Sequence, residues 1–373
     1  MKSPHTYAAG VTDLRRNSYF WIARLVLVSL VSIGLAPIAT AQTPKTSKPT
    51  ATKKTQSTAT KKRPVQKKLY SAKRSLSRKA RLARARAVAT ARELAEAIVP
   101  RYKVDAEGDL VPDLRAAAAI IYNPDTNEVL WEENSQSQRS IASITKVMTA
   151  AVFLEDAPDL SQPVTIARSD VHRASTTYLR ANDRVTTDDL LHLLLIASDN
   201  AAARALARIS PHGSAGFIQR MNEKASELDL TSTHYADPSG LLSDNVSSAY
   251  DMAKLIVHAS NDERIGTIMR TPEYTVRTAK RSITFRSTNY LLRQGEVDVR
   301  AGKTGFISKA GYCLATLLRL PQGQGGQEVA VVVLGARSNA GRFVETQNLF
   351  NWLSSKAATL FATQTPAPIL TNE

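Results

Sequence analysis

The sequence predicts an α+β domain over residues 110–358. Three observations carry this reading: strand patterns cluster at both ends of the span, the middle is a succession of helical patterns, and one more helix follows the last strand. Terminal strands of this kind meet in one sheet, with helices to cover it. Residues 116–122 and 128–131 are apolar runs on either side of Asn123-Pro124-Asp125-Thr126-Asn127, a turn-forming stretch, and predict a hairpin. The span 140–154 has apolar residues at helical spacing, and helices follow over 187–197, 199–209 and 215–228. Strand signals return at 299–303, 314–320 and 328–334, before a last helix over 342–353. No internal repeat is present.

The rest of the 373-residue chain has a different character. Its net charge of +16 raises the question of nucleic-acid binding, so the location of that charge matters. Between Gln42 and Arg92 there are 17 Lys and Arg and no acidic residue, whereas from Glu93 onward 28 basic residues face 32 acidic ones. The body is mildly acidic and the charge is a property of one segment, so no specific nucleic-acid partner is expected.

Ahead of that segment, Arg15, Arg16 and Arg24 precede an apolar run over 25–37, and Ala39-Thr40-Ala41 offers small residues for signal cleavage. This predicts export to the periplasm or cell envelope. The alternative is an uncleaved, tilted anchor that also takes in 19–22, since the run itself is shorter than the ~20 residues of a spanning helix. The expected organisation is a signal peptide over 1–41, a basic, disordered or partly helical tether over 42–109, the domain over 110–358 and a flexible tail over 359–373.

The tether has too few large apolar side chains to offset the entropy of ordering. It reads either as a solvated spacer or as a contact for an anionic membrane or wall polymer through residues 42–92. Its stretch 75–96, dense in Ala, Arg and Leu, is suited to turn helical on such a surface. No cofactor or metal is expected: the six histidines, at 5, 172, 192, 212, 234 and 258, form no His-Glu-x-x-His pattern, and Cys313 is the single cysteine. Cys313 follows Gly-Tyr in an apolar run and reads as a small packed hydrophobe.

Three short motifs carry the chemistry. Ser143-Ile144-Thr145-Lys146 stands before the apolar run 147–152, so Ser143 is expected at a helix start, where free N–H groups favour developing negative charge. Lys146, three residues on, lies on the same helical face and acts as a base only if its amine is held neutral, by burial or by a nearby positive charge such as Lys303. Ser198-Asp199-Asn200 joins two helical patterns, where a hydroxyl and an amide are aimed rigidly into a cleft; a plain helix cap is the bland alternative for Ser198. A second Ser-Asp-Asn at 243–245 follows Asp237-Pro238-Ser239-Gly240 and reads as an ordinary turn. Lys303-Thr304-Gly305, followed by Phe306, suits an edge strand on which Gly305 admits a substrate backbone while Lys303 and Thr304 bind a carboxylate.

In this order the three motifs are those of class A β-lactamases and penicillin-binding proteins. The chain resembles the D-alanyl-D-alanine carboxypeptidase family of low-molecular-mass penicillin-binding proteins. The blocks Val111-Pro112-Asp113-Leu114, Ile141-Ala142-Ser143-Ile144-Thr145-Lys146-Val147-Met148-Thr149-Ala150 and Lys303-Thr304-Gly305-Phe306 look most like its D,D-endopeptidase branch. Met221-Asn222, Asp237-Pro238-Ser239-Gly240-Leu241 and Ala310-Gly311-Tyr312-Cys313-Leu314 extend the likeness over about 110–355.

The resemblance implies a mainly antiparallel sheet flanked by helices with a helical lobe, and a serine hydrolase active in peptidoglycan biosynthesis, cell wall organization and cell shape. It further implies acylation of the serine by β-lactams. The expected roles are Ser143 as nucleophile, Lys146 as base, Ser198 as proton relay, Asn200, Lys303, Thr304 and Gly305 as substrate contacts, and the N–H groups of Ser143 and Phe306 as oxyanion donors. The rivals are a β-lactamase, for which no Glu-x-x-Leu-Asn lies between the second and third motifs, and a catalytically silent peptidoglycan-binding scaffold.

Overall fold

The computed structural model describes residues 99–321 and 326–362, with scattered positions between 78 and 95. The leader, most of the tether and the tail from 363 onward lie outside the described residues. Five strands make the central sheet: Ala118–Asn123 (β1), Glu128–Glu133 (β2), Asp298–Ile307 (β3), Gly311–Arg319 (β4) and Glu328–Ala336 (β5). They are ordered β3-β4-β5-β1-β2, and every neighbouring pair is antiparallel.

The sequence of β5 explains its central place. Its Val-Ala-Val-Val-Val-Leu run is apolar at every position, as a strand covered on both faces requires. Ala330, Val332 and Leu334 point into one core with Ile120, while Val329, Val331 and Val333 point into a second core with Ile121. The first core belongs to the helical lobe. The second is closed by the last helix, Asn339–Ala362, through Phe343, Leu349, Phe350 and Leu353.

The lobe between β2 and β3 contains Thr145–Glu155 (α1), Thr187–Leu195 (α2), Asn200–Ile209 (α3), Gly213–Glu227 (α4), Ala249–Ser260 (α5) and Glu263–Arg270 (α6), and the closing helix is α7. From Thr145 to Leu154 every residue of α1 is buried, which fits its near-uniform apolar surface and puts it at the centre of the lobe. Side-chain caps fix the starts of its neighbours: Thr186 accepts from the Asp189 N–H before α2, Asp199 from Ala202 before α3, and Ser248 from Asp251 before α5.

Several expectations need adjustment. The helix expected over 140–154 starts later, because Arg139–Ser140 pairs as a strand with Val246–Ser247 and Ala142–Ile144 forms a 3₁₀ turn. Strand β3 runs to Ile307, and α7 extends into the span assigned to the tail. Tyr102–Val104, inside the span assigned to the tether, pairs as a ribbon with Leu110–Pro112 at the start of the span assigned to the domain. Described positions between Arg78 and Arg92 are helical. Helices α5 and α6 were absent from the sequence reading.

Candidate active site

Ser143 sits in the 3₁₀ turn between a strand and α1, not in the first turn of the α-helix. The turn is strained: Ala142 has φ +49°, a left-handed conformation that costs a non-glycine residue roughly 1–2 kcal/mol. Neighbours impose it. The Ile141 N–H donates to the Asn245 carbonyl at 3.1 Å, and the Thr145 hydroxyl donates to the Ala142 carbonyl at 2.8 Å. Strand β3 presses on the turn from the sheet side, and a Cβ at Gly305 would stand 2.6 Å from the Ile141 oxygen and 3.2 Å from the Ser143 nitrogen. Glycine is required there because two backbones meet.

One turn into α1, Lys146 is fully buried. Its Nζ lies 3.0 Å from Ser143 Oγ, 2.6 Å from Asn200 Oδ1 and 2.5 Å from the Ser239 carbonyl oxygen. A neutral amine has two N–H groups and one lone pair. Donating to Asn200 and Ser239 therefore leaves the lone pair to accept from the Ser143 hydroxyl. Burial drives its pKa down to about 7, with Arg204 pushing the same way and Asp237 and Asp199 opposing. Of the two expected causes, burial and a nearby positive charge, burial is the leading one.

Lys303 comes from the edge strand β3 and is 1% exposed. Its Nζ donates to Ser198 Oγ at 2.8 Å and to the Thr304 carbonyl at 2.9 Å. Burial lowers its pKa well below the usual lysine range, helped by Lys146 and Arg342. Ser198 has φ +58°, between α2 and α3. The helix cap is Asp199, whose buried carboxylate accepts from Ala202 N–H at 3.0 Å, Tyr178 N–H at 2.6 Å and Thr177 Oγ at 3.0 Å. With the cap supplied by its neighbour, Ser198 is free to face the cleft.

Asn200 donates from Nδ2 to the Ala174 carbonyl at 2.7 Å while its oxygen meets Lys146, so its amide ties two walls of the cleft together. Thr304 Oγ donates to Thr288 Oγ at 2.7 Å, and Phe306 is half exposed, stacked on Tyr312 with centroids 4.2 Å apart. Cys313 is buried opposite Gly305 in the β3–β4 register.

Ser143, Lys146, Asn200, Ser198 and Lys303 are therefore joined by direct hydrogen bonds into two Ser–Lys pairs, with Asn200 bonded to Lys146. Three groups of the site escaped the sequence reading. The Ser239 carbonyl is one. Asn245 is another: Ser243 and Asp244 do form an ordinary turn, but Asn245 is fully buried beneath it. The third is Arg342 of α7, whose buried guanidinium donates to the carbonyls of Gly305 at 2.9 Å and Cys313 at 3.2 Å and so holds β3 from behind. The Asp-Pro-Ser-Gly-Leu block stands in the sequence as part of the family likeness, and Asn245 as the end of the Ser-Asp-Asn read as a turn. Among the described residues no cluster of three His, Cys, Asp or Glu is arranged to hold a metal, and no helix is long and apolar enough to cross a membrane.

Residues 105–338 match the family described as D-alanyl-D-alanine carboxypeptidase. The chain belongs to that family of serine peptidases. It is a serine hydrolase, and its sequence lies near the endopeptidase branch. A D-alanyl-D-alanine endopeptidase of Pseudomonas aeruginosa is 33% identical over 257 residues, 67% of this chain and 81% of that one. One from Escherichia coli is 32% identical over 248 residues, 65% and 79% of the two chains. The crystal structure of the Streptomyces K15 DD-transpeptidase covers 65% of this chain and 97% of its own, with 29% identity and a TM-score of 0.60. The penicillin-binding fold is thereby shared.

Proposed function

We propose that this peptidase cleaves D-alanyl bonds in peptidoglycan peptides through an acyl-enzyme on Ser143. The observation that carries the reading is the Lys146 amine, buried, lowered to about 7 and 3.0 Å from Ser143 Oγ. As Oγ attacks the carbonyl carbon, Lys146 takes its proton, and the N–H groups of Ser143 and Phe306 receive the oxyanion. Ser198, bonded to Lys303, relays to the departing D-alanyl nitrogen the proton that Lys146 accepted, which leaves Lys146 neutral again. Water, deprotonated by Lys146, then hydrolyses the ester. Lys303 and Thr304 receive the substrate carboxylate, and an incoming anion favours the protonated form of Lys303 that burial disfavours. Asn200 orients Lys146 and offers its amide to the substrate, and Gly305 lets the substrate backbone lie along β3.

Penicillins acylate the same serine in this reading. Ser143→Ala is expected to abolish labelling by a fluorescent penicillin while leaving the melting temperature within a few degrees. Undiminished labelling at another serine contradicts the assignment. The named endopeptidase relatives support cleavage of cross-links, and digestion of purified wall with product masses tests it: release of monomers from dimers is expected, rather than loss of D-alanine alone.

The leader supports export to the periplasm, checked by the N-terminal sequence of the mature protein. The basic run over 42–92 supports a contact with anionic membrane or wall polymer; deletion is expected to abolish salt-sensitive co-sedimentation with wall.

A further inference from the structure

The loop over 237–245 contains a dense polar arrangement that none of the steps above uses. Asp237 Oδ1 accepts from the Gly240 N–H and from Asn245 Nδ2, each at 2.7 Å, and Oδ2 accepts from Ser239 Oγ at 2.8 Å and the Leu241 N–H at 3.3 Å. Asn245 completes the loop. Its Oδ1 accepts from the N–H groups of Ala236 at 3.1 Å and Asp237 at 3.3 Å, its Nδ2 also donates to the Leu242 carbonyl at 2.9 Å, and its own carbonyl holds Ile141.

The loop lies directly on the nucleophile turn. At Gly240, with φ +76°, a Cβ would fall 2.0 Å from the Ala142 oxygen and 2.9 Å from the Ser143 nitrogen. What the loop delivers into the site is a pair of carbonyls: Ser239 to Lys146 at 2.5 Å and Pro238 to Thr149 Oγ at 2.6 Å.

We infer that Asp237 is a positioning residue for the reaction, its carboxylate both folding the loop that presents the Ser239 carbonyl to Lys146 and standing as a fixed negative charge beside that amine. The inference rests on Lys146 being the base.

The charged groups that face Lys146 are Asp237, Asp199 and Arg204, with the Lys303 amine nearby. Burial pulls the amine toward neutrality, and Asp237 is the larger of the two carboxylate influences that restrain it. Asp199 is already committed to capping α3 and holding Tyr178. Without Asp237, burial lowers the Lys146 amine further, so more of it is neutral at a given pH while each neutral amine is a weaker base. Asparagine at 237 keeps an oxygen for Gly240 and Asn245, removes the charge, and puts an NH2 group where the Ser239 hydroxyl and the Leu241 N–H now donate. Serine keeps a smaller acceptor for the same N–H.

The test is the rate of acylation by a fluorescent penicillin between pH 5 and 9, measured on the full chain as wild type, Asp237→Asn and Asp237→Ser, each first checked by thermal melt. The expected result is an acidic limb whose midpoint moves down by about one pH unit in whichever variant folds. A midpoint that stays fixed, with the plateau lowered or not, overturns the electrostatic role of Asp237 and leaves the base assignment standing. A wild-type profile with no acidic limb overturns the base assignment, and the role of Asp237 with it.

Discussion

Lys146 and Lys303 are both shut away from water, and the hydrogen-bond acceptors that surround their amines are neutral oxygens. Such an amine is a reagent because its environment disfavours its charge. For Lys146 the sign of the stability effect follows. The folded amine loses its proton at about 7 instead of 10.5, so over that interval the unfolded chain binds more protons and stability climbs with pH. Below 7 the full cost of burying the ammonium applies. Lys146→Met is expected to abolish acylation and to remove its share of the climb, on the order of 5 kcal/mol, leaving the share that Lys303 contributes. Melts at intervals from pH 7 to 10 check this, and an unaltered slope contradicts it.

At this scale Ser143, Lys146, Ser198 and Lys303 stood out by the order and context of three motifs, and the structure brings them into two hydrogen-bonded Ser–Lys pairs. The sequence was silent on the Ser239 carbonyl, because any residue has one and only the fold decides where it points. Asp237 and Asn245 were visible as residues but not in their roles, since their side chains bond within the loop rather than face the cleft.

Among the elements, the contact between β3 and the turn that carries Ser143 fixes where that serine stands. Gly305→Ala places a methyl 2.6 Å from the Ile141 oxygen, so one of the two backbones must retreat. A displacement near 1 Å at a reacting centre costs about a hundredfold in rate. Acylation is expected to fall by about that factor, with a loss of roughly 1–3 kcal/mol in denaturant melts. Wild-type rates would show that the strand is more yielding than its packing suggests.

The strands β1, β4 and β5 were legible because their apolar runs are long and bounded by turn residues. The start of α1 was not. Apolar spacing continues unbroken through Ala142 and Ile144, and the left-handed φ of Ala142 is imposed by Gly240, Asn245 and β3, all distant in sequence. Two-residue and three-residue strands such as Arg139–Ser140 and Pro163–Thr165 are too short for periodicity to register.

Across the whole molecule, the two ends of the domain are tied by Glu345 of α7, which is 3% exposed and accepts from the Ala116 N–H at 2.9 Å just before β1. Burial raises its pKa above 4.5. Between the ordinary value and the raised one the folded chain holds more protons, so stability declines as pH rises through that window. Glu345→Gln keeps an acceptor and removes the buried charge. It is expected to raise the melting temperature at pH 7–8, by roughly 1 kcal/mol in stability, with penicillin labelling unchanged. A lowered melting temperature would mean that Arg115 and Arg337, the cations nearby, already offset the burial.

The pairing of β5 with β1, with Ala118 opposite Leu334, also governs when the molecule comes into being. A chain growing from its N-terminus has no partner for the inner edge of β1 until the far end of the domain has been made, so the sheet between the two cores stays incomplete during most of synthesis. A polypeptide that stays open for so long is one that can still be threaded, extended, through a narrow translocation pore.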